Sequence, residues 1–266
     1  MIVAQITDTH IVRPGERLYN RIDTADFLAR AVAEINRLEP LPDVTVVTGD
    51  LVDTGAPAEY ANLRELVAPL RMPVYVIPGN HDDRTALRAA FGGDGYLPEV
   101  GFLQFAVEQF PMRLIGLDTT IPGDHRGSLC AERLAWLDRT LAARPQVPTM
   151  VLMHHPPFVT GIDFMDRFGL DNAAGFAEVI ARHPQVERIL AGHLHRAIDR
   201  RFAGTVAGTA PSTAHQINLN LNPEGPLRFM FEPAGYQLHL CQDDGGVVTH
   251  TAVFGDWPGP YRFRAE

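Results

Sequence analysis

Five short blocks constrain this chain more than anything else in it: Asp8-Thr9-His10, Gly49-Asp50-Leu51-Val52-Asp53, Gly79-Asn80-His81-Asp82, His154-His155 and Gly192-His193-Leu194-His195. Each follows a brief β-branched or apolar run, which reads as a buried strand ended by turn residues. Carboxylates, imidazoles and one amide at five strand ends read together as one two-metal site on loops at one rim of an α/β scaffold. In extended chain, residues two apart face the same side, so Asp8 and His10 address one point.

The intervening sequence predicts that scaffold. Strands are expected at 2–7, 44–48 and 74–77, alternating with helices at 25–38 and from Pro57 to Leu66. Such alternation argues an α/β fold with a largely parallel sheet. The segment 12–23 lacks a period and reads as a loop over the site, with Arg13, Arg17 and Tyr19 as solvated positions. Further strands are expected at 102–107, 113–117, 149–153 and 186–191, with helices at 131–142 and 172–182. The last stretch reads as strands at 198–202, 205–209, 236–240 and 247–254, with Asp243-Asp244-Gly245-Gly246 as a hairpin turn. The expectation is one domain over residues 1–266, two packed sheets with helices outside. An Asn- and Pro-rich excursion at about 212–233 would form a cap or an oligomer contact.

Composition narrows the function classes. Lys and Arg total 23 against 32 Asp and Glu, a formal charge of −9 that weighs against binding a nucleic-acid polymer. No run approaches the ~18 apolar residues of a membrane span. Removal of a signal peptide of ~15–30 residues would take Asp8 and His10 with it, so the expected compartment is the cytoplasm. Cys130 and Cys241 stand in no metal-binding or redox spacing and read as free thiols.

As a set in this order and spacing, the blocks resemble the calcineurin-like metallophosphoesterases over roughly the first 200 residues. The resemblance is nearest to the class III cyclic-nucleotide phosphodiesterases and the glycerophosphodiesterases. It implies a four-layer α/β/β/α sandwich of two mixed sheets and two divalent metal ions, with Fe, Mn, Zn and Co all compatible with the donors. By motif, Asp8, His10, Asp50 and His195 would hold one ion, and Asp50, Asn80, His154 and His193 the other. His81 would be the catalytic histidine, acting on a small phosphodiester attacked by a metal-bridging hydroxide. Asp53 and His215 would support the ligands or meet the substrate, and Asp82, where many relatives carry Glu, would orient His81. His155 is open between a ligand and a loop-shaping residue. Phe158, Phe164 and Phe168 line a nucleobase pocket or pack in the core, and His125, His183, His239 and His250 read as surface or packing residues.

The substrate reading is a 3′,5′-cyclic nucleotide, with glycerophosphodiesters or a broad range of diesters as the alternative. A non-hydrolytic binding module of the same fold would be expected to lose ligands or the catalytic histidine, and none is missing. A homo-oligomer is compatible with the 212–233 segment.

Overall fold

The structure, a computed structural model, describes residues 1–263. Its first sheet runs, edge to edge, Val247–Val253, Gly235–Cys241, Ile2–Ile6, Val44–Thr48 and Val74–Ile77. The second runs Ile198–Phe202, Thr205–Thr209, Val186–Ala191, Thr149–Leu152, Arg113–Gly116 and Phe105–Val107. Ile2–Ile6, Val44–Thr48 and Val74–Ile77 are parallel to one another. In the second sheet the four strands from Thr205–Thr209 to Arg113–Gly116 are likewise parallel. The remaining strands pair antiparallel at the margins, so both sheets are mixed.

Alternation along the strands makes the layers. Leu114, Met150, Leu152 and Leu190 share a core with Val3 and Val46 of the first sheet. Their neighbours Ile115, Val151 and Ile189 point the other way, onto Leu137, Leu141, Phe176 and Ile180. Those four sit on helices Ala131–Ala142 and Ala173–Ala181. Against the first sheet, helices Thr24–Arg37 and Pro57–Val67 bury Leu28, Val32, Ile35 and Leu63. Successive strand residues face opposite sides, so both sheets are apolar on both faces and a helix layer covers each outer face. The result is the α/β/β/α sandwich.

A polar clamp ties the sheets together. The buried Gln5 amide donates to Thr48 Oγ1 at 2.9 Å and to the Ala191 carbonyl at 2.9 Å, and its Oε1 faces His239 Nε2 at 3.0 Å. Burial pushes the His239 imidazole down to about 3, so its neutral form donates here.

The structure departs from the sequence reading in several segments, among them a small sheet of Thr120–Ile121, Asp124–Ser128 and Leu170–Asp171 outside the two main ones. Only Phe105–Val107 of the strand expected at 102–107 is extended in the sheet. The Leu103 amide turns away to the Asp118 carboxylate at 3.1 Å, and Phe102 packs under the Arg84 and Arg133 guanidinium groups. A helix at Arg84–Phe91 was not anticipated, although Asp83 caps it by accepting from the Ala86 amide at 2.8 Å. Residues 212–216 are buried beside the site, whereas Leu219, Leu221 and Phe231 beyond them are exposed.

Asp118 is the other buried polar centre. Its carboxylate accepts from Arg84 Nη2 at 2.9 Å and from the Thr120 amide and hydroxyl at 3.0 and 2.8 Å. Burial alone would raise its pKa, but Arg84 and these donors hold it below the ordinary carboxylate value. Asp118→Ala is expected to cost about 3–5 kcal/mol, because it leaves Arg84 half-buried without its counter-charge. Chemical denaturation reads the loss directly. Because the folded pKa is depressed, the Asp118 contribution is present above the unfolded value and declines as pH falls through the folded one.

Candidate active site

Each of the five blocks begins where a parallel strand ends, at Ile6, Thr48, Ile77, Leu152 and Ala191. Ligand sites in parallel α/β sheets form at these carboxyl ends. The loops are packed backbone to backbone: a Cβ on Gly79 would collide with the Asp50 amide and carboxylate, and one on Gly49 with the His154 ring. Hence a glycine precedes Asp50 and another precedes Asn80.

The backbone at the site is strained. Asp8, His10, Asp50, His193 and His195 have φ of 51°, 42°, 46°, 71° and 51°, in the left-handed region that side chains avoid. Such residues cost about 1–3 kcal/mol each and persist only where the surroundings over-determine them. Here the Asp8 carboxylate accepts from the His193 amide at 3.0 Å, and Asp50 Oδ1 accepts from the His81 amide at 2.9 Å.

The donor atoms fall into two sets. In one, His10 Nε2 lies 3.2 Å from His195 Nε2, and His195 Nε2 lies 3.5 Å from Asp8 Oδ1. In the other, His154 Nε2 lies 3.2 Å from Asn80 Oδ1. Asp50 Oδ2 touches both, 3.6 Å from His10 Nε2 and 3.4 Å from His154 Nε2. His193 Nε2 is buried with no hydrogen-bond partner, and its ring centroid is 5.2 Å from that of His154. Opposed imidazole nitrogens and an orphaned buried one are what a divalent ion would satisfy. The imidazoles are pre-oriented: His154 Nδ1 donates to the Thr48 carbonyl at 2.8 Å and His195 Nδ1 to the His215 carbonyl at 2.9 Å, leaving each Nε2 toward the cluster.

Electrostatics agree with a cation site. Burial pushes His193 down to about 3 and His10 well below the ordinary imidazole value. Burial also opposes charge on His154, but the Asp50 carboxylate overcomes it and holds His154 up to about 9. Metal ligation needs the neutral imidazole, so loading the protein near pH 7 is expected to release about one proton per chain from this residue. Since the metal-free pKa is raised, release should fade as pH climbs through about 9. Calorimetry in two buffers of different ionisation enthalpy measures the number.

His81 is half-buried beside this cluster. Its Nδ1 donates to the Asp53 carbonyl at 2.7 Å, and Asp53 Oδ1 lies 3.5 Å from His10 Nδ1. Burial works against its charge, but Asp50 and the Asp53 carbonyl raise its pKa overall. Asp82 does not orient His81. Its carboxylate accepts from the Gly79 amide at 2.8 Å, the Leu51 amide at 3.1 Å and the Tyr60 hydroxyl at 2.8 Å, tying two ligand loops together. His215 stands against His195 and His10, with ring centroids 4.7 and 5.7 Å away. His155 is used locally, Nδ1 on Thr119 Oγ1 at 2.8 Å and Nε2 on the His125 carbonyl at 3.1 Å.

Above the donors opens a pocket of about 350 Å³. Two of its lining residues are His125, expected from the sequence as a surface or packing residue, and Tyr19, expected as a solvated loop position. His125 Nδ1 lies 3.1 Å from the Asn80 amide nitrogen, and Tyr19 stacks on Phe229 with centroids 5.5 Å apart. The one local signal for Tyr19 is its neighbour Asn20, which marks a left-handed turn; Tyr19 itself has φ of 52°. Phe164 and Phe168 line the pocket, whereas Phe158 packs on the core of the second sheet.

A helix-covered double sheet with opposed carboxylates and imidazoles at its strand ends defines a metal-dependent phosphoester hydrolase. The sequence profile of the calcineurin-like phosphoesterases matches residues 1–197, and the chain belongs to that family. It is 38% identical to a probable glycerophosphodiester phosphodiesterase of Arcobacter nitrofigilis, over 100% of this chain and 98% of that one. It is 34% identical to a cAMP/cGMP dual specificity phosphodiesterase of Mycobacterium tuberculosis, covering 84% and 71%. Among solved structures it resembles a dimetal phosphatase from Danio rerio, with a TM-score of 0.64, 16% identity and coverage of 96% and 99%. No helix among the described residues is long and apolar enough to cross a membrane.

Proposed function

We propose that the protein is a binuclear-metal phosphodiesterase acting on small diesters, 3′,5′-cyclic nucleotides first among them. The observation that carries this reading is the single carboxylate oxygen, Asp50 Oδ2, shared between two clustered sets of donors. Asp8, His10, Asp50 and His195 would hold one ion, and Asp50, Asn80, His154 and His193 the other. Their mix of imidazole, carboxylate and amide suits Fe, Mn, Zn or Co. Bound there, the ions supply Lewis acidity and lower the pKa of a coordinated water toward neutrality.

The chain's own residues do the rest. Neutral imidazoles keep the centre positive toward an anionic phosphate. With Nδ1 fixed on the Asp53 carbonyl, His81 presents Nε2 to the pocket, where it donates a proton to the leaving oxygen. Tyr60 and Asp82 hold the loops that carry Asp50 and Asn80. Two half-buried free thiols, Cys130 and Cys241, fit a cytoplasmic location. The exposed Leu219, Leu221 and Phe231 favour contact with a second copy.

Phosphorus NMR of the manganese-loaded protein given cyclic AMP and glycerophosphoethanolamine together tests the reading, with His154→Ala as control. Loss of the cyclic AMP signal, abolished by the substitution, is the expected result. Loss of the glycerol diester alone would move the substrate to the second reading, which the 38% identity to a glycerophosphodiesterase favours. Persistence of both would overturn the assignment.

A further inference from the structure

The aromatic rings of the site form one unbroken arc. Phe229 stacks on Tyr19, Tyr19 meets His215 at 6.1 Å, and His215 meets His10 at 5.7 Å. His10 then meets His81 at 4.7 Å, His81 meets His125 at 5.6 Å, and His125 meets Phe168 at 5.8 Å. Histidines occupy the middle of the arc, beside the donor sets, and uncharged aromatics occupy both ends.

The two ends come from separate structures outside the core sheets. Tyr19 belongs to the loop at 12–23, and Phe229 to the hairpin pairing Gln216–Ile217 with Phe229–Met230. Phe168 stands beside a small sheet in which Gly127 pairs with Leu170, two residues from His125. Apart from Asp50 and the histidines, no side chain lining the pocket among the described residues is charged. At both ends a flat ring finds an aromatic side chain to stack on.

A phosphodiester carries two substituents, one on each side of its phosphorus. We propose that the two aromatic ends are paired subsites for the two ester substituents, so that linear diesters bearing a flat ring on each side are bound as substrates alongside the cyclic nucleotides, which fill one end only. The inference rests on the phosphodiesterase reading above. It also assigns the sides. His81, which protonates the leaving oxygen in that reading, adjoins the His125 and Phe168 end, so the leaving ring lies there. The retained ring lies on Tyr19.

Two substrates with the same leaving group separate these roles: bis(p-nitrophenyl) phosphate, with two rings, and methyl p-nitrophenyl phosphate, with one. Tyr19 is 57% exposed, so Tyr19→Leu leaves the core intact. It should raise KM at least about fivefold for the two-ring diester and leave the one-ring diester unchanged. Phe168→Leu should weaken both diesters by a similar factor. Adenosine should inhibit the wild type while ribose does not. Equal losses on both substrates in Tyr19→Leu, or a loss in kcat alone, would mark a structural role and overturn the proposal. So would no loss in either variant. Those outcomes leave the diesterase reading standing, as does failure of the wild type on both aryl diesters while cyclic AMP is still hydrolysed, which would overturn this proposal alone; failure on all three would overturn both.

Discussion

Asp50→Ala is expected to strip both metal ions and lower diester hydrolysis on the order of 10³-fold or more. The reason is geometric. Asp50 Oδ2 is the atom that approaches both His10 Nε2 and His154 Nε2, so its loss removes a donor from each set at once. It also removes the charge that offsets repulsion between two cations. A further consequence is local, since Oδ1 holds the His81 amide and with it the start of the Asn80-His81 turn. Elemental analysis should fall from two ions per chain toward none. Asp50→Asn, which can still accept from that amide, separates the effects: metal is lost, while the fold read by thermal unfolding of the metal-free protein is kept.

His81→Ala should behave differently, with metal content unchanged and turnover reduced about 10²–10⁴-fold. Its ring nitrogen Nδ1 is committed to the Asp53 carbonyl, and the ring is 25% exposed toward the pocket, where the carboxylate and imidazole donors are buried. The ligand imidazoles His154 and His195 also fix Nδ1 on backbone carbonyls, but their side chains are buried, that of His154 fully. The loss should appear in kcat and shrink for p-nitrophenyl esters, whose good leaving group needs little protonation. If metal content fell with the substitution, His81 would belong to the ligands.

Most of the donor set was legible before any coordinates, and the reason is local. Each block begins within two residues of a strand's end, and strand ends on one rim meet by construction. Gly49 and Gly79 were legible as turns, but their closer meaning, two loops touching at Asp50 and His154, is a tertiary fact. His125, Tyr19 and Phe168 were not legible as a group because they ride on segments outside the core sheets, where no period marks which side faces the pocket. The helix Arg84–Phe91 was missed although Asp83 announces it, because the metal-site motif beside it claimed the reading. Asp82 keeps a supporting place, but through partners that the sequence did not point to. Adjacency to His81 in sequence suggested contact, but the chain turns its carboxylate back to Gly79, Leu51 and Tyr60.

The central claim is that one carboxylate joins two clustered donor sets into a working centre. The most direct measurement is a titration of stripped protein with manganese, following bound metal and diester hydrolysis together. The account expects two ions per chain, no hydrolysis in the stripped protein, and full activity only as the second ion is taken up. Hydrolysis without metal, or saturation at one ion with full activity, would contradict it.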